Sequence, residues 1–338
     1  MRKRLAFCLA TMLWLLAACD GGGEQAPTPA ASPRASPPAT EQAAIVGAWS
    51  LGAPMPTARS EITSAVLDGE IYVVGGFEAS GSNSDIVEVY DPDADAWRTA
   101  APLPVRLDHA MAAAVGGKLY VIGGYRVFGQ DISSATYEYD PQADAWTERA
   151  PLPLPRAAGA AVGVDGVIYI VGGVGPEPTV PLAYDVAADA WRELRELASS
   201  TAPREHLTAQ AVGTAVYVIG GRWEGKNVDT VEVFTTVPGS CCWRTMAPMP
   251  TARGGLASAV LNGRIHVVGG EDLSARTTFA EHEVYDPSVD GWTAAPPLPT
   301  ARHGLTAQVV DGRLYVIGGG PQAALSTSAL VEIFTPGE

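Results

Sequence analysis

The chain has 338 residues, of which 37 are acidic and 22 basic, and its formal net charge at pH 7 is −15. This excess of negative charge disfavours nonspecific binding to nucleic acid. The length suffices for one large hydrophobic core and would also allow two domains, so the domain organisation has to be read from the pattern of the sequence.

The N-terminal residues have the pattern of an export signal. Met1-Arg2-Lys3-Arg4 is cationic, and residues 5–18 are apolar but too few to span a bilayer as a helix. Leu16-Ala17-Ala18-Cys19 resembles the lipobox of bacterial lipoproteins. The resemblance implies cleavage before Cys19 and attachment of a diacylglyceryl group to its sulfur. We therefore expect a signal peptide over residues 1–18 and a protein that is lipid-anchored to a bacterial cell membrane, outside the cytoplasm.

Residues 19–44 are rich in Pro, Ala, Gly, Ser and Thr and contain little that could pack, which predicts a disordered linker behind the acylated cysteine. Residues 45–338 are then the folded part. Loss of residues 1–18 removes three basic side chains, so 19 basic residues face 37 acidic ones and the net charge becomes −18.

One phrase is repeated six times along the folded part, with its diglycine recurring every 48 or 49 residues. The copies are Tyr72-Val73-Val74-Gly75-Gly76, Tyr120-Val121-Ile122-Gly123-Gly124, Tyr169-Ile170-Val171-Gly172-Gly173, Tyr217-Val218-Ile219-Gly220-Gly221, His266-Val267-Val268-Gly269-Gly270 and Tyr315-Val316-Ile317-Gly318-Gly319. A period of this length indicates one supersecondary unit whose copies stack on each other.

The first copy shows what the unit contains. Short apolar runs at residues 62–67, 71–74 and 86–90 and a further strand at Trp97 are separated by Gly, Pro and Asp turns. Four antiparallel strands of this kind form one blade, and radial stacking of six blades predicts an all-β propeller.

The spacing of aromatic residues within the unit resembles that of the kelch repeat. A diglycine is followed by a strand that ends in Tyr, and a Trp comes seven residues later. The pairs with this spacing are Tyr90 with Trp97, Tyr139 with Trp146, Tyr184 with Trp191 and Tyr285 with Trp292. The fourth copy departs from it, because Phe234 precedes Trp243 by nine residues. The resemblance covers residues 47–338 and implies a six-bladed propeller.

The sixth copy ends without a Trp strand of its own. Trp49 lies 26 residues before Gly75, as Trp97 lies 26 residues before Gly123. Residues 47–52 are therefore predicted to be the fourth strand of the last blade, which closes the ring and leaves no open sheet edge.

Signals for metals and cofactors are weak, and the sequence predicts neither. The five histidines, His109, His206, His266, His282 and His303, show no paired spacing. Asp91, Asp93 and Asp95 imitate the start of a calcium loop, but Ala96 and Pro102 occupy the positions that such a loop gives to Gly and Glu.

Cys241 and Cys242 are the two cysteines left once Cys8 is cleaved off and Cys19 is acylated. Adjacent Cα atoms lie about 3.8 Å apart, which makes a disulfide between neighbours strained. A vicinal disulfide and two free thiols both stay open.

An arginine precedes the first strand of every copy, and in kelch domains the matching strand is innermost. The resemblance therefore implies that six arginines surround one mouth of the central channel: Arg59, Arg106, Arg156, Arg204, Arg253 and Arg302. His109, His206 and His303 would add donors to the same rim. The alternative is that these arginines belong to the repeat and bind turn carbonyls between blades.

Acidic neighbours divide the arginines into two groups. Glu61, Asp108 and Glu205 lie within two positions of Arg59, Arg106 and Arg204. Arg156, Arg253 and Arg302 have no such neighbour, and unpaired guanidinium groups suit carboxylate or phosphate ligands. Arg253 and Arg302 also belong to adjacent blades and are flanked by glycines. These two are therefore expected to hold an acidic small molecule or glycan.

The expected function is that of a monomeric protein that binds a ligand or protein partner at the channel mouth, without catalysis of its own and without nucleic acid. Two alternatives stay open. The domain is similar in fold and repeat number to periplasmic sialic acid mutarotases, for which Glu205, His206 and Arg204 form the obvious proton-transfer set. A purely structural protein of the cell envelope is the other.

Overall fold

The computed structural model describes residues 44–197, 203–237, 239 and 242–337. The predicted signal peptide, Cys19 and the linker up to residue 43 lie outside this part. Over the described residues the chain forms six antiparallel four-stranded sheets, each of which is one blade of a propeller. The prediction of an all-β six-bladed propeller is confirmed. No helix in the described part is long and apolar enough to cross a membrane.

The four strands of a blade follow each other in space as they do in the chain, from the channel outwards. The innermost strands are Thr63–Leu67, Met111–Val115, Ala160–Val164, Thr208–Val212, Ala257–Leu261 and Thr306–Val310. The second strands are Glu70–Val74, Lys118–Ile122, Val167–Val171, Ala215–Ile219, Arg264–Val268 and Arg313–Ile317. The third strands are Val87–Asp91, Thr136–Asp140, Leu182–Asp185, Val231–Thr235, His282–Asp286 and Val331–Pro336.

The outermost strands carry the repeated tryptophan, apart from the short strand of blade 4. They are Ala96–Thr99, Ala145–Arg149, Ala190–Glu193, Arg244–Thr245, Gly291–Ala294 and, for the last blade, Gly47–Leu51. Short strand pairs also lie in the loops: Arg59–Ser60 with Phe77–Glu78, Tyr125–Val127 with Asp131–Ile132, Arg222–Trp223 with Lys226–Asn227, and Glu271–Asp272 with Thr277–Thr278. A 3-10 turn covers Arg195–Leu197.

Tight turns connect the first two strands of each blade. In blade 1 the turn residues Asp68 and Gly69 have φ values of 49° and 83°. Two successive left-handed residues make a type I′ turn, whose twist matches that of the strands and which Asp-Gly and Asn-Gly favour. The turn residues therefore help to set the register in which the second strand is buried.

The repeated tyrosine and tryptophan join neighbouring blades. The hydroxyl of Tyr90 donates to Asp95 at 2.5 Å, and the same carboxylate accepts the amide of Ala53. The indole nitrogen of Trp97 donates to the carbonyl oxygen of Ala53 at 2.8 Å. Asp91 accepts the amide of Asp93. Asp91 and Asp95 thus have structural partners in this turn, in agreement with its interpretation as a turn.

The last blade is closed by the N-terminal strand. Gly47–Leu51 pairs with Val331–Pro336, and Trp49 lies opposite Phe334. The Trp49 indole donates to the carbonyl oxygen of Pro296 in the preceding blade at 2.9 Å. The predicted closure by residues 47–52 is therefore confirmed, with the strand ending one residue earlier.

Candidate functional site at the channel mouth

Five of the six arginines that were expected at the channel mouth lie inside the scaffold instead. Arg59, Arg156, Arg253 and Arg302 are fully buried, and Arg204 is 5% exposed. Each guanidinium group donates to carbonyl oxygens of its own blade. One nitrogen of Arg59, for example, contacts Gly75 at 2.7 Å and Ile86 at 3.0 Å.

Four of these arginines also form buried ion pairs with a glutamate of the third strand. The pairs are Arg59 with Glu88 at 2.8 Å, Arg204 with Glu232 at 2.8 Å, Arg302 with Glu332 at 2.6 Å, and Arg253 with Glu283. The expectation of unpaired guanidinium groups at Arg253 and Arg302 is wrong. Their partners lie 30 residues further along the chain, on the third strand of the same blade, and are therefore not neighbours in the sequence.

The two remaining arginines differ from these four. Arg156 donates to the carbonyl oxygens of Gly172 and Pro178, and burial lowers its pKa to about 10. Arg106 is not equivalent to the others, because Leu107 occupies the corresponding buried position. The Arg106 side chain is 61% exposed and lies 3.7 Å from Asp85. The expectation of a ring of six converging arginines is therefore wrong. The alternative, that arginine belongs to the repeat scaffold, describes what is found, except that its carbonyl partners lie in its own blade and not between blades.

A ring of backbone hydrogen bonds lies two residues beyond the arginine position. One residue from each blade donates its amide to the carbonyl oxygen of the equivalent residue in the preceding blade, at distances of 2.7 to 3.2 Å. We call these six residues the mouth ring: Glu61, His109, Ala158, His206, Gly255 and Gly304. All six have φ between 49° and 67°.

The left-handed backbone of the mouth ring favours glycine, yet four of its six members carry a side chain. A residue with a Cβ atom in this conformation is strained, and such strain is concentrated at functional sites. At Glu61, His109 and His206 the left-handed backbone directs an ionisable side chain towards the channel axis. These three residues are therefore the candidates for a functional site.

The three histidines expected at the rim meet above the mouth ring. The Nε2 atoms of His109 and His206 lie 2.9 Å apart, and Glu61 Oε2 lies 3.2 Å from His109 Nε2. His303, one residue before the ring, directs its Nε2 at Glu61 Oε1 from 3.6 Å. The side chains of His109, His206 and His303 are only 3%, 7% and 2% exposed.

Carboxylates hold these rings from behind. Asp108 Oδ1 lies 2.5 Å from His109 Nδ1, and Glu205 contacts His206 Nδ1. Glu205 also accepts a hydrogen bond from Arg222 Nε at 2.9 Å, and Arg222 Nη1 donates one to Glu271 at 2.7 Å. His206, Glu205, Arg222 and Glu271 thus form one connected polar network around the mouth.

Burial and charge act in opposite directions on the pKa values of this cluster. Burial alone would raise the pKa of Glu61, but His109, His206, His303 and Arg222 lower it to about 2. Burial disfavours the charged form of His109, yet Glu61 and Asp108 raise its pKa above the usual value. Burial dominates at His206 and lowers its pKa. His109 is therefore the stronger base of the two.

A cavity of about 440 Å³ lies above this cluster. Its floor contains Glu61, His109, His206, Arg222, Glu271 and His303. Its wall is apolar and includes Phe77, Phe128, Leu273 and Leu325, the last three of which are more than a third exposed. We call it the mouth cavity. A second cavity of about 370 Å³ lies deeper on the axis and is lined by small residues of the first strands, such as Ala112, Ala161 and Ala259.

The structure thus brings together His109, His206, His303 and Glu205 but not Arg204, whose side chain turns into the scaffold. Glu61 and Asp108 were interpreted as partners of Arg59 and Arg106 but lie in the mouth instead. Arg222 and Glu271 were not anticipated. They directly follow the diglycines of blades 4 and 5, at a position that differs from blade to blade.

Of the two adjacent cysteines, the structure describes only one. Cys242 is exposed and has a φ of 79°, while Cys241 lies outside the described residues. The vicinal disulfide and the thiols therefore both remain predictions.

Comparisons with known proteins agree with this architecture. A family model described as the KLHDC2/KLHL20/DRC7 Kelch-repeats domain matches residues 42–173 and 151–319. These matches cover most of the chain, which therefore belongs to the kelch-repeat family. Kelch propellers generally bind proteins, so the chain has the scaffold of a binding protein.

Two individual proteins are similar to the chain. Kelch-like protein terF of Aspergillus terreus (strain NIH 2624 / FGSC A1156) is 32% identical over 228 residues, which are 64% of this chain and 39% of that protein. The match spans about two fifths of the relative's length. The solved structure of YjhT has a TM-score of 0.74 and 16% identity and covers 86% of this chain and 100% of its own. At this identity the likeness concerns the fold alone.

Proposed function

We propose that this chain is a ligand-binding protein that acylated Cys19 tethers outside the cytoplasm of a bacterial cell, and that its ligand binds in the mouth cavity. The observation that supports the site is the convergence of Glu61, His109, His206 and His303 beneath an apolar wall. A concave, largely apolar pocket with a few convergent polar groups is the usual form of a ligand site.

The charge of the cavity floor restricts the ligand. Glu61 and Glu271 contribute two carboxylates to the floor, and Glu205 lies directly behind it against His206. The guanidinium group of Arg222 is already occupied by Glu205 and Glu271. A free carboxylate ligand would be repelled by this floor. A glycan or a segment of a protein partner with hydroxyl or amine donors fits better, and its apolar part would contact Phe128.

The site is tested by a thermal-shift screen of glycans, amines and acidic metabolites on the purified full-length protein in detergent. Phe128 is 55% exposed and stacks on His109 at 5.2 Å between ring centroids. Phe128→Ala should weaken a ligand found in the screen about 10-fold, the equivalent of one aromatic contact.

The control for this experiment is Val289→Ala, because Val289 is 60% exposed and does not line the mouth cavity. It should leave the affinity unchanged. A ligand whose affinity is equal in both variants binds elsewhere, and a screen without any ligand contradicts the proposed binding function.

The tether is tested by fractionation of cells that produce Cys19→Ser. This variant should leave the membrane and appear in the soluble extracytoplasmic fraction, because acylation needs the thiol. Cys8→Ser is the matched control and should stay in the membrane fraction, since residue 8 belongs to the predicted leader. Membrane retention of Cys19→Ser would refute the lipid anchor.

A second candidate function is proton transfer on a sugar ring, as in the mutarotases considered above. The contact between Glu205 and His206 of the cavity floor favours it, because a carboxylate that fixes an imidazole is a common acid–base arrangement. The test is the rate at which a reducing sugar exchanges its anomers, measured by NMR with catalytic amounts of protein. Glu205→Gln should abolish any acceleration, whereas Val289→Ala should preserve it. If the protein as it stands gives no acceleration, this candidate is excluded.

A further inference from the structure

The orientation of the three mouth histidines is fixed by their Nδ1 atoms. The acceptors of these atoms are Asp108 for His109 at 2.5 Å, Glu205 for His206, and the carbonyl oxygen of Gly320 for His303 at 3.0 Å. Each acceptor takes a hydrogen bond from Nδ1, so Nδ1 carries the proton. In a neutral ring the other nitrogen, Nε2, then presents a lone pair.

The lone pairs of His109 and His206 point at one small volume beside the Glu61 carboxylate. His109 Nε2 and His206 Nε2 are 2.9 Å apart, Glu61 Oε2 is 3.2 Å from His109 Nε2, and His303 Nε2 approaches the other oxygen of Glu61. Two bare nitrogens at 2.9 Å, facing a carboxylate, repel one another unless a positive charge lies between them. That charge is either a proton shared by the imidazoles or a metal ion.

The composition and spacing of the group fit a metal ion. Donor atoms of Glu61, His109 and His206 all lie within 4.8 Å of one another. Two metal–nitrogen bonds of about 2.1 Å place their nitrogens roughly 3.4 Å apart at the tetrahedral angle of zinc and roughly 3.0 Å apart at the right angle of square-planar or octahedral ions. The separation of 2.9 Å found here is closer to the second value. Two histidines with one carboxylate are a recurring ligand set for divalent transition metals.

The surroundings of the ligands are those of a metal site as well. Ligating histidines usually donate their second nitrogen to a carboxylate or a backbone carbonyl, which fixes the ring and increases its basicity. Asp108, Glu205 and the Gly320 carbonyl oxygen stand in these positions here. The mouth ring fixes the backbone of all three primary ligands through amide–carbonyl bonds to neighbouring blades.

We propose that Glu61, His109 and His206 bind a divalent first-row transition metal ion, while His303 Nε2 lies 3.6 Å from the other oxygen of Glu61. Nitrogen-rich ligand sets favour Zn²⁺, Co²⁺, Ni²⁺ or Cu²⁺ over Mg²⁺ and Ca²⁺. The remaining coordination positions face the mouth cavity, where an oxygen atom of a ligand can occupy them. Binding of the metal is independent of the proposed function, whereas its use as an anchor for a ligand rests on it.

The experiment is a titration of the purified full-length protein, after removal of metals by a chelator, with Zn²⁺ by calorimetry and with Co²⁺ by visible absorption. One equivalent should bind, and Co²⁺ should give d–d bands of a protein-bound ion. Mg²⁺ and Ca²⁺ should not compete.

The variants are His109→Asn and His206→Asn. Asparagine tolerates the left-handed backbone of the mouth ring but has no atom at the position of Nε2. Each should weaken Zn²⁺ at least about 100-fold, because loss of an outer partner alone costs 10- to 100-fold. Glu61→Gln keeps the shape of the side chain and is the substitute if either variant fails to fold. The control is His266→Tyr, which removes a histidine outside the mouth and should bind the metal as before.

The absence of stoichiometric binding, or equal binding by the asparagine variants, would overturn the metal site and leave a shared proton as the explanation. The ligand screen repeated with chelator separates the two proposals. A ligand that binds equally with and without chelator leaves the proposed function intact but excludes the metal as its anchor. If the protein binds the metal but no ligand is found, the metal site is supported and the proposed ligand-binding function is contradicted.

Discussion

The arginine layer and the mouth ring are two residues apart in sequence and have opposite roles. Arg204 is buried against Glu232 inside blade 4, while His206 faces the channel axis. The arginine recurs in five blades, is buried in each, and donates to a carbonyl oxygen in or just after the second strand of its own blade. The mouth ring has one backbone conformation in all six blades but differs in its side chains.

This contrast shows how a repeat protein divides its sequence. Positions that are equal in every blade solve the problem that every blade has, namely contact with its neighbour. A cluster at the axis needs unlike side chains, so it is built where the backbone repeats and the side chains do not. A Cβ atom at Gly304 would lie 2.6 Å from Glu61 Oε1, so glycine at this position leaves room for the Glu61 carboxylate.

The strongest test of the contrast replaces a buried arginine. Arg302→Ala leaves Glu332 buried without its partner, which typically costs about 3 to 5 kcal/mol. We expect a loss of this size in the free energy of unfolding, measured by denaturant titration. Arg106→Ala, at the exposed counterpart, should change it by less than about 0.5 kcal/mol. Equal stability of the two variants would remove the distinction between scaffold and surface arginines.

A second departure from the repeat, at His266 and His282, lies inside the scaffold and is expected to affect stability at low pH. His266 replaces the repeated tyrosine and donates from Nδ1 to His282 Nε2 at 2.8 Å, while His282 Nδ1 donates to the Pro296 carbonyl oxygen at 3.1 Å. Both rings are thus neutral. Burial and the neighbouring ring lower the pKa of His266 to about 3, and burial lowers that of His282 to about 4.

The unfolded chain binds protons at these histidines near pH 6.5, whereas the folded chain does not until about pH 4. Stability is therefore complete above pH 6.5 and falls as the pH decreases, by about 1.4 kcal/mol per pH unit for each histidine. His266→Tyr combined with His282→Val, which restores what blade 1 has at these positions, should flatten the slope between pH 6.5 and 4.5. A slope as steep as before would mean that these rings are already charged in the folded state.

The closing strand Gly47–Leu51 provides the third test, because it lies at the other end of the domain sequence from the three strands with which it forms a blade. Trp49 packs on His282 and Phe334, with ring centroids 5.6 and 5.3 Å away. Since Trp49 is only partly buried, Trp49→Ala should cost about 2 kcal/mol, below the range for a buried aromatic residue. Leu51 on the same strand is 72% exposed, and Leu51→Ala should leave the melting temperature nearly unchanged. A similar loss in both would indicate that the strand as a whole, and not the Trp49 contact, closes the ring.

The smallest expected effect lies in the mouth ring itself. Ala158 has a φ of 54°, which glycine adopts without strain, so Ala158→Gly should stabilise the protein by about 0.5 to 1 kcal/mol. The same change at Ala112, in a first strand, should destabilise it by a similar amount. Destabilisation at both positions would show that the ring backbone is not strained.

The fold was predictable because its evidence is local and repeated. Most blades show the same short sequence patterns. These are the diglycine at a constant period, the spacing between tyrosine and tryptophan, and the constant distance from a tryptophan to the next diglycine, which Trp49 and Trp97 share. The convergence of Glu61, His109, His206 and His303 was harder to predict because these residues come from four different blades. The histidines were judged to lack a paired spacing, yet His109 and His206 are 97 residues apart, which is two repeats.

In a propeller, residues separated by a whole number of repeats lie at the same height along the channel axis. Two such residues near the axis can therefore be in contact although they are far apart in sequence. The acidic residues were misassigned for a related reason. Glu61 was matched with Arg59 because it lies nearby in sequence, although the partner of Arg59 is Glu88 on the third strand. Sequence proximity says little about contact where neighbouring side chains point to different places.

Closure by the N-terminal strand also sets an order for folding. Trp49 belongs to the first strand of the domain to be synthesised, and its partner Phe334 belongs to the last. Five blades can form in succession from contacts within and between neighbours, but the sixth has to wait for both ends of the domain. Contacts so distant in sequence form slowly, because a loop of nearly the whole chain has to close first. The final step in the maturation of this protein is therefore expected to be the docking of its oldest strand.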